Sequence, residues 1–333
     1  MNEPMEAEEV LKIRWERDRI APQQHNFPVQ LEGKKMTITQ TYRLIHAKVA
    51  RSKIRVPLVW CRHLGLKSQD IFQASYPRSG STWLRFMLFQ ILTGADPGFH
   101  SIQRTIPEID EHRGVPPILP GGGRLIKTHE QYRKDYTRGV FLVRDVRDVL
   151  LSNFARGTQF GLAQLLSKGD LDSFLEIFLK GKALQQGSWQ DHTRSWLESP
   201  LAKNGNLMVV RYEDLRKNPE QILGRLLQFL GLTPDFRIIR KAIENNSLHQ
   251  MRAKEDRARQ TREQSNLLSS EEKVGEEGRF VRNGSVGGWR DKLTDAQVKI
   301  IDQYAGDMLS ALGYQPGRAG KWSSQAEVSA RTV

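Results

Sequence analysis

The stretch Ser75-Tyr76-Pro77-Arg78-Ser79-Gly80-Ser81-Thr82-Trp83 stands between a short, mostly apolar run, Ile71-Phe72-Gln73-Ala74, and the apolar segment Leu84-Arg85-Phe86-Met87-Leu88-Phe89-Gln90-Ile91-Leu92. That order predicts a strand, a tight polar turn and a helix. Such a turn aims free backbone N–H groups at one point, at the positive end of the helix dipole. Gly80 lets the backbone approach a ligand closely, and hydroxyls and a cation surround it. The geometry suits a phosphate or a similar anion. It is not a Walker A loop, which needs Gly, four residues, then Gly-Lys-Ser/Thr; here there is one Gly and no Lys after it. Standing alone, the stretch also fits an ordinary Ser-rich helix cap.

Outward from this turn the pattern alternates strand and helix. Strands are predicted over 71–75, 124–127, 140–143 and 207–211, and helices over 81–92, 146–154, 172–184, 189–198, 219–230 and 295–312. Short apolar strands between helices imply an α/β chain with a central parallel sheet buried on both faces. Ligands then sit beyond the carboxyl ends of the strands, where the first turn lies. Residues 1–65 carry no chemical motif and read as an N-terminal extension packing on the core, with weak helical patterns over 10–20 and 41–54. Residues 66–316 form the main domain, and 317–333 read as a frayed tail. Residues 252–282 are strongly charged with no apolar period and predict a long loop.

The 333 residues are 38% hydrophobic and 27% charged, which permits a substantial core and argues against global disorder. A net charge of +13 suits an anionic ligand, a nucleic acid or an acidic surface without choosing among them. A single cysteine, Cys61, excludes an intrachain disulfide and a cysteine metal cluster. Met1 to Glu9 is acidic with no apolar stretch after it, and no run approaches the ~18 apolar residues of a membrane span. The expectation is a soluble, cytoplasmic protein.

Two further segments carry candidate anion ligands. In Gly139-Val140-Phe141-Leu142-Val143-Arg144-Asp145-Val146-Arg147-Asp148, a strand ends near Arg144, and Ser152 follows eight residues on. Arg144 offers a planar fork suited to phosphate, although a salt bridge to Asp145 or Asp148 would use it otherwise. In Arg279-Phe280-Val281-Arg282-Asn283-Gly284-Ser285-Val286-Gly287-Gly288-Trp289-Arg290, separated glycines and arginines make a second cradle.

With Phe174-Leu175-Glu176, Gly187-Ser188-Trp189-Gln190-Asp191-His192 and Tyr212-Glu213-Asp214-Leu215-Arg216-Lys217-Asn218-Pro219, these segments in this order resemble the PAPS-dependent sulfotransferase family (PAPS is 3′-phosphoadenosine 5′-phosphosulfate) from about residue 70 to 312. The resemblance implies a three-layer, P-loop-like α/β fold and sulfuryl transfer from PAPS to a small-molecule hydroxyl or amine, leaving PAP. It implies that Arg78, Ser79, Gly80, Ser81 and Thr82 hold the 5′-phosphosulfate and that Trp83 flanks the adenine. Arg144 and Ser152 would bind the 3′-phosphate, with Arg282, Asn283 and Gly284 over it. Tyr212, Ser247 and Leu248 would approach the adenine. His129 of Lys127-Thr128-His129 would be the general base, with Lys127 and Arg78 stabilising charge. Phe154, Phe160 and the 157–169 stretch are candidate acceptor contacts.

Two departures stand out. Cytosolic members usually carry Lys where this chain has Arg78, so charge stabilisation carries over but proton donation does not. The family's Lys-x-x-x-Thr-Val-x-x-x-Glu dimer segment corresponds to Arg290, Thr294, Asp295 and Lys299, which leaves a homodimer open. A small-molecule kinase is the alternative enzyme, with Asp145 as a metal ligand. A nucleic-acid binder would explain the charge but not the ordered motifs, so neither nucleic acid nor membrane is expected as a partner, and no metal is expected.

Overall fold

All five residues of the strand Ile71–Ser75 are buried, as are all of Leu125–Thr128 and Gly139–Val143. A strand buried on both faces lies inside a layered α/β domain. The computed structural model describes residues 29–31, 34–36, 55–159, 169–261, 279–282 and 284–317. The chain divides into two compact units, residues 1–55 and 56–333. In the first, β1 (Val29–Leu31) pairs antiparallel with β2 (Lys34–Met36). The helical patterns expected over 10–20 and 41–54 lie outside the described residues.

In the second unit the elements run α1 (Arg55–Arg62), β3 (Ile71–Ser75), α2 (Ser81–Thr93), α3 (Ser101–Thr105), β4 (Leu125–Thr128), β5 (Gly139–Val143), α4 (Val146–Gln159), α5 (Leu171–Leu179), α6 (Trp189–Leu197), α7 (Pro200–Lys203), β6 (Leu207–Arg211), α8 (Tyr212–Lys217), α9 (Pro219–Phe229), α10 (Phe236–Asn245), α11 (Leu248–Gln260) and α12 (Asp295–Ala311). Among the described residues, four strands form one parallel sheet in the order β4-β3-β5-β6.

Strand residues alternate between two cores, as the period of two requires. Phe72, Ile126, Phe141 and Val143 meet α4, α5, α6 and α12 through Val149, Phe178, Trp196 and Ile301. Ile71, Leu125, Val140, Leu142 and Val210 meet α2, α9 and α10 through Leu84, Leu226 and Ile239. The result is the three-layer, P-loop-like α/β fold. The chain leaves β3 for β4 on one side and returns to β5 on the other, so the topological reversal lies between β3 and β5. A crevice opens beyond their carboxyl ends at such a point.

Three expectations need correction. Helix α5 ends at Leu179 rather than 184, because the chain turns at Gly181 with φ 69°. The charged run from Arg252 is helical through Gln260, as part of α11. Helix α10 was not anticipated at all. Residues 262–278 of the expected loop, and the tail beyond 317, lie outside the described residues.

Candidate active site

The β3–α2 turn bends through two residues of the left-handed region, Arg78 (φ 73°) and Gly80 (φ 93°). Among the described residues, Arg78 is the one non-glycine with positive φ, a sparsely populated state that side chains reach at a cost. Among the described residues, the first α2 amide with a backbone acceptor is that of Leu84, which donates to the Gly80 carbonyl at 3.3 Å. The amides of Ser81, Thr82 and Trp83 therefore point from the helix terminus with their donors unspent. Ser79 is fully buried, and its Oγ makes no hydrogen bond among the described residues.

Cations converge on this turn. Arg78 Nε donates to Ser152 Oγ at 3.1 Å, and its Nη2 donates to the Phe280 carbonyl at 3.3 Å. Burial, then the charges of Arg156, Arg282 and Arg144, push the Arg78 pKa down. Arg144 donates to the Arg78 carbonyl at 3.3 Å and to the Ser285 carbonyl at 2.8 Å, and lies 3.9 Å from Asp148. Its Nε is buried without a partner among the described residues. Asp145 does not pair with Arg144: both of its oxygens are taken by Arg147, at 2.9 and 2.8 Å. That removes the metal-ligand role which the kinase alternative required of Asp145.

Tyr212 joins three segments of the site. Its ring occupies the space a Cβ on Gly80 would need, 2.6 Å from Cδ2 and Cε2. The Arg144 guanidinium lies 4.5 Å over the ring, and the hydroxyl donates to the Gly284 carbonyl at 2.9 Å. Trp83 stands edge-on to it at 6.0 Å, and its indole N–H donates to the Asn246 carbonyl at 2.8 Å. Arg216 lies 5.3 Å over the Trp83 ring.

Opposite the cations stands His129, where β4 ends. Its Nδ1 lies 2.7 Å from the Ser75 carbonyl. A carbonyl only accepts, so Nδ1 carries the proton and Nε2 the lone pair. Burial, then the Lys127 ammonium, lowers the His129 pKa to about 3, which keeps the ring neutral. His192 fixes the backbone there by donating from Nε2 to the His129 carbonyl at 3.0 Å. Lys127 Nζ is 2.7 Å from Glu108 Oε1, and buried Arg85 is 3.4 Å from the same oxygen. Burial pushes Glu108 up, but Lys127 and Arg85 outweigh it and hold the carboxyl at about 2.

These groups enclose one cavity of about 220 Å³. Of the residues expected from the sequence, Arg78, Gly80, Ser81, Thr82, Trp83, Lys127, His129, Arg144, Ser152, Tyr212, Leu248, Arg282 and Gly284 line it. Ser79 lies beneath the turn, and Ser247 is the N-cap residue of α11, so neither forms the wall. Asn283 lies outside the described residues, as do Phe160 and the adjoining residues to 168. Phe154 packs against Phe174 with the rings tilted, centroids 5.4 Å apart, and does not line the cavity. Arg216, Met251, Phe280 and Val281 line it unanticipated. Arg216, Phe280 and Val281 stood within recognised motifs, whereas Met251 lies just before the run read as loop, in a stretch to which no motif was assigned.

A neutral imidazole with a free lone pair thus faces a pocket of arginines and a lysine. Such a site holds a polyanion and removes a proton beside it. A family model described as sulfotransferase domain matches residues 68–313. Mouse sulfotransferase 2A1 is 28% identical over 266 residues, covering 76% of this chain and 87% of that protein. Human sulfotransferase 1C2 is 24% identical over 260 residues, covering 71% and 82%. Mouse sulfotransferase SULT7A1 complexed with PAP superposes with a TM-score of 0.54 at 20% identity, covering 85% of this chain and 94% of that one. Retinol dehydratase in a complex with retinol and PAP gives 0.56 at 20% identity, covering 76% and 86%. With its four-stranded parallel sheet and the residues lining the cavity inside the matched region, the chain belongs to the PAPS-dependent sulfotransferase family.

Proposed function

We propose that the cavity binds PAPS between the β3–α2 turn and the segments at Arg144 and Arg282, and that the enzyme transfers the sulfuryl group in line to a hydroxyl or amine of a small-molecule acceptor. The observation that carries this reading is the His129 Nδ1 bond to the Ser75 carbonyl, which leaves Nε2 as a base in a cavity where arginines converge. The residues suit the donor's charges. The unspent amides of Ser81 and Thr82, with Arg78, Ser79 and Gly80, would hold the 5′-phosphosulfate. Arg144, Ser152, Arg282, Asn283 and Gly284 would hold the 3′-phosphate. Trp83, Tyr212, Leu248 and, through the α11 cap, Ser247 would form the adenine end.

PAPS when bound supplies the activated sulfuryl group. His129 takes the acceptor proton on Nε2, and Arg78 and Lys127 stabilise the negative charge on the transferring group and the departing phosphate. An arginine does not readily release a proton, so Arg78 acts by charge alone. Retinol dehydratase has been solved with retinol and with androsterone. Both are small apolar molecules bearing a hydroxyl, which supports an acceptor of that size.

Replacing His129 by Ala tests the reading. Turnover with labelled PAPS and a competent acceptor should fall by about 10²- to 10⁴-fold, while PAP binding by calorimetry stays within a few fold. Wild-type turnover in the variant would remove His129 from the base role. Preference of the wild type for ATP with Mg²⁺ over PAPS would remove the donor assignment.

A further inference from the structure

Helix α11 turns a charged face inward. Arg252, Glu255 and Asp256 lie three and four residues apart, on one side of the helix. Each engages a part of the segment at 279–282. Glu255 is fully buried. Its Oε1 accepts the Phe280 N–H at 2.9 Å, and its Oε2 accepts the Val281 N–H at 2.8 Å. Arg259 balances its charge at 2.8 Å. Arg252 Nε donates to the Arg282 carbonyl at 2.9 Å, and Arg279 pairs with Asp256 at 2.9 Å. A carboxylate is costly to bury unless its oxygens are well used; here both fix the backbone of a segment that belongs to no sheet.

That segment matters to the cavity. Phe280, Val281 and Arg282 line it, and the Phe280 carbonyl accepts from Arg78. Glu255 itself does not line the cavity. We propose that Glu255, together with Arg252, is the positioning residue for the 3′-phosphate side of the donor site, acting by holding the backbone that presents Phe280, Val281 and Arg282. The inference rests on the donor reading above.

The test compares PAP with AMP, which lacks the 3′-phosphate, by calorimetry on the wild type, Glu255→Gln and Arg252→Met. In Glu255→Gln, one accepting oxygen becomes an amide NH₂ that faces a backbone N–H. PAP affinity should fall by about 10- to 100-fold, with AMP affinity nearly unchanged, and Arg252→Met should shift PAP in the same sense. An equal loss for both nucleotides would mark general loosening and overturn the inference, as would wild-type PAP affinity in both variants. Should Glu255→Gln fail to fold, Arg252→Met carries the comparison, because Arg252 is only half-buried. Failure of the wild type to bind PAP would remove the donor reading, and this inference with it.

Discussion

At position 80 two independent demands meet. The backbone stands at φ 93°, which disfavours any side chain, and the Tyr212 ring fills the place of a Cβ. Gly80→Ala should therefore cost about 1–3 kcal/mol in urea unfolding, and should weaken PAP binding as Tyr212 is displaced. A variant of wild-type stability and affinity would show that the turn relaxes freely. Glu108 poses a different question, because it touches the lysine beside the base rather than the base itself. Burial lowers the Lys127 pKa, and the Glu108 carboxylate opposes that fall. Glu108→Gln should lower it further, so Lys127 loses its charge at lower pH. The alkaline limb of the pH–rate profile should then move toward neutrality, and an unmoved limb would separate Lys127 from the rate.

Among the elements, β3 and β6 match the sequence reading end for end, β4 lies one residue later, and β5 begins one residue earlier. Strands β3, β4 and β5 were legible because short apolar runs are the signature of strands covered on both faces; β6 is partly exposed and was legible from its run Leu207-Met208-Val209-Val210 alone. Helix α10 was legible but not read, whereas α11 was not legible. In α10 Ile239, Ala242 and Ile243 recur at helical spacing and form an apolar stripe. In α11 the buried face includes Lys254 and Glu255, so an apolar period misses it. The same holds for the site: residues within glycine and arginine motifs were visible, but the carboxylates that hold those motifs were not. Asp148 is one of them. Its two oxygens accept the amides of Gly287 at 2.8 Å and Trp289 at 3.1 Å, tying α4 to the third motif. Asp148→Asn must turn an NH₂ toward one of those donors, at about 1–3 kcal/mol. Urea titration should show that loss, and an unchanged midpoint would mean the tie is dispensable.

Across the whole domain, buried ionisable groups of opposite behaviour set the response to pH. Burial lowers His129 to about 3 and His192 to about 4, against an ordinary 6.5. Below pH 6.5 the unfolded chain takes protons that these rings refuse, so their contribution to stability is lost as pH falls toward 4. Glu213 works the other way. It sits where three distant parts of the fold meet: Oε1 accepts the Asp145 N–H at 3.1 Å, and Oε2 accepts the Tyr314 hydroxyl at 2.7 Å. Burial, reinforced by the Asp145 charge, raises Glu213 to about 7 from an ordinary 4.5. Between those values the folded protein keeps a proton that the unfolded chain has released, so this contribution declines as pH rises. Glu213→Gln cannot lose that proton. Relative to the wild type, its stability should therefore improve by about 1.4 kcal/mol per pH unit between 4.5 and 7, for a total of about 3 kcal/mol. Urea unfolding of both proteins at several pH values in that window measures the difference directly; a difference that does not vary with pH would mean that Glu213 is ionised in the folded protein and that its pairing with Tyr314 rests on charge.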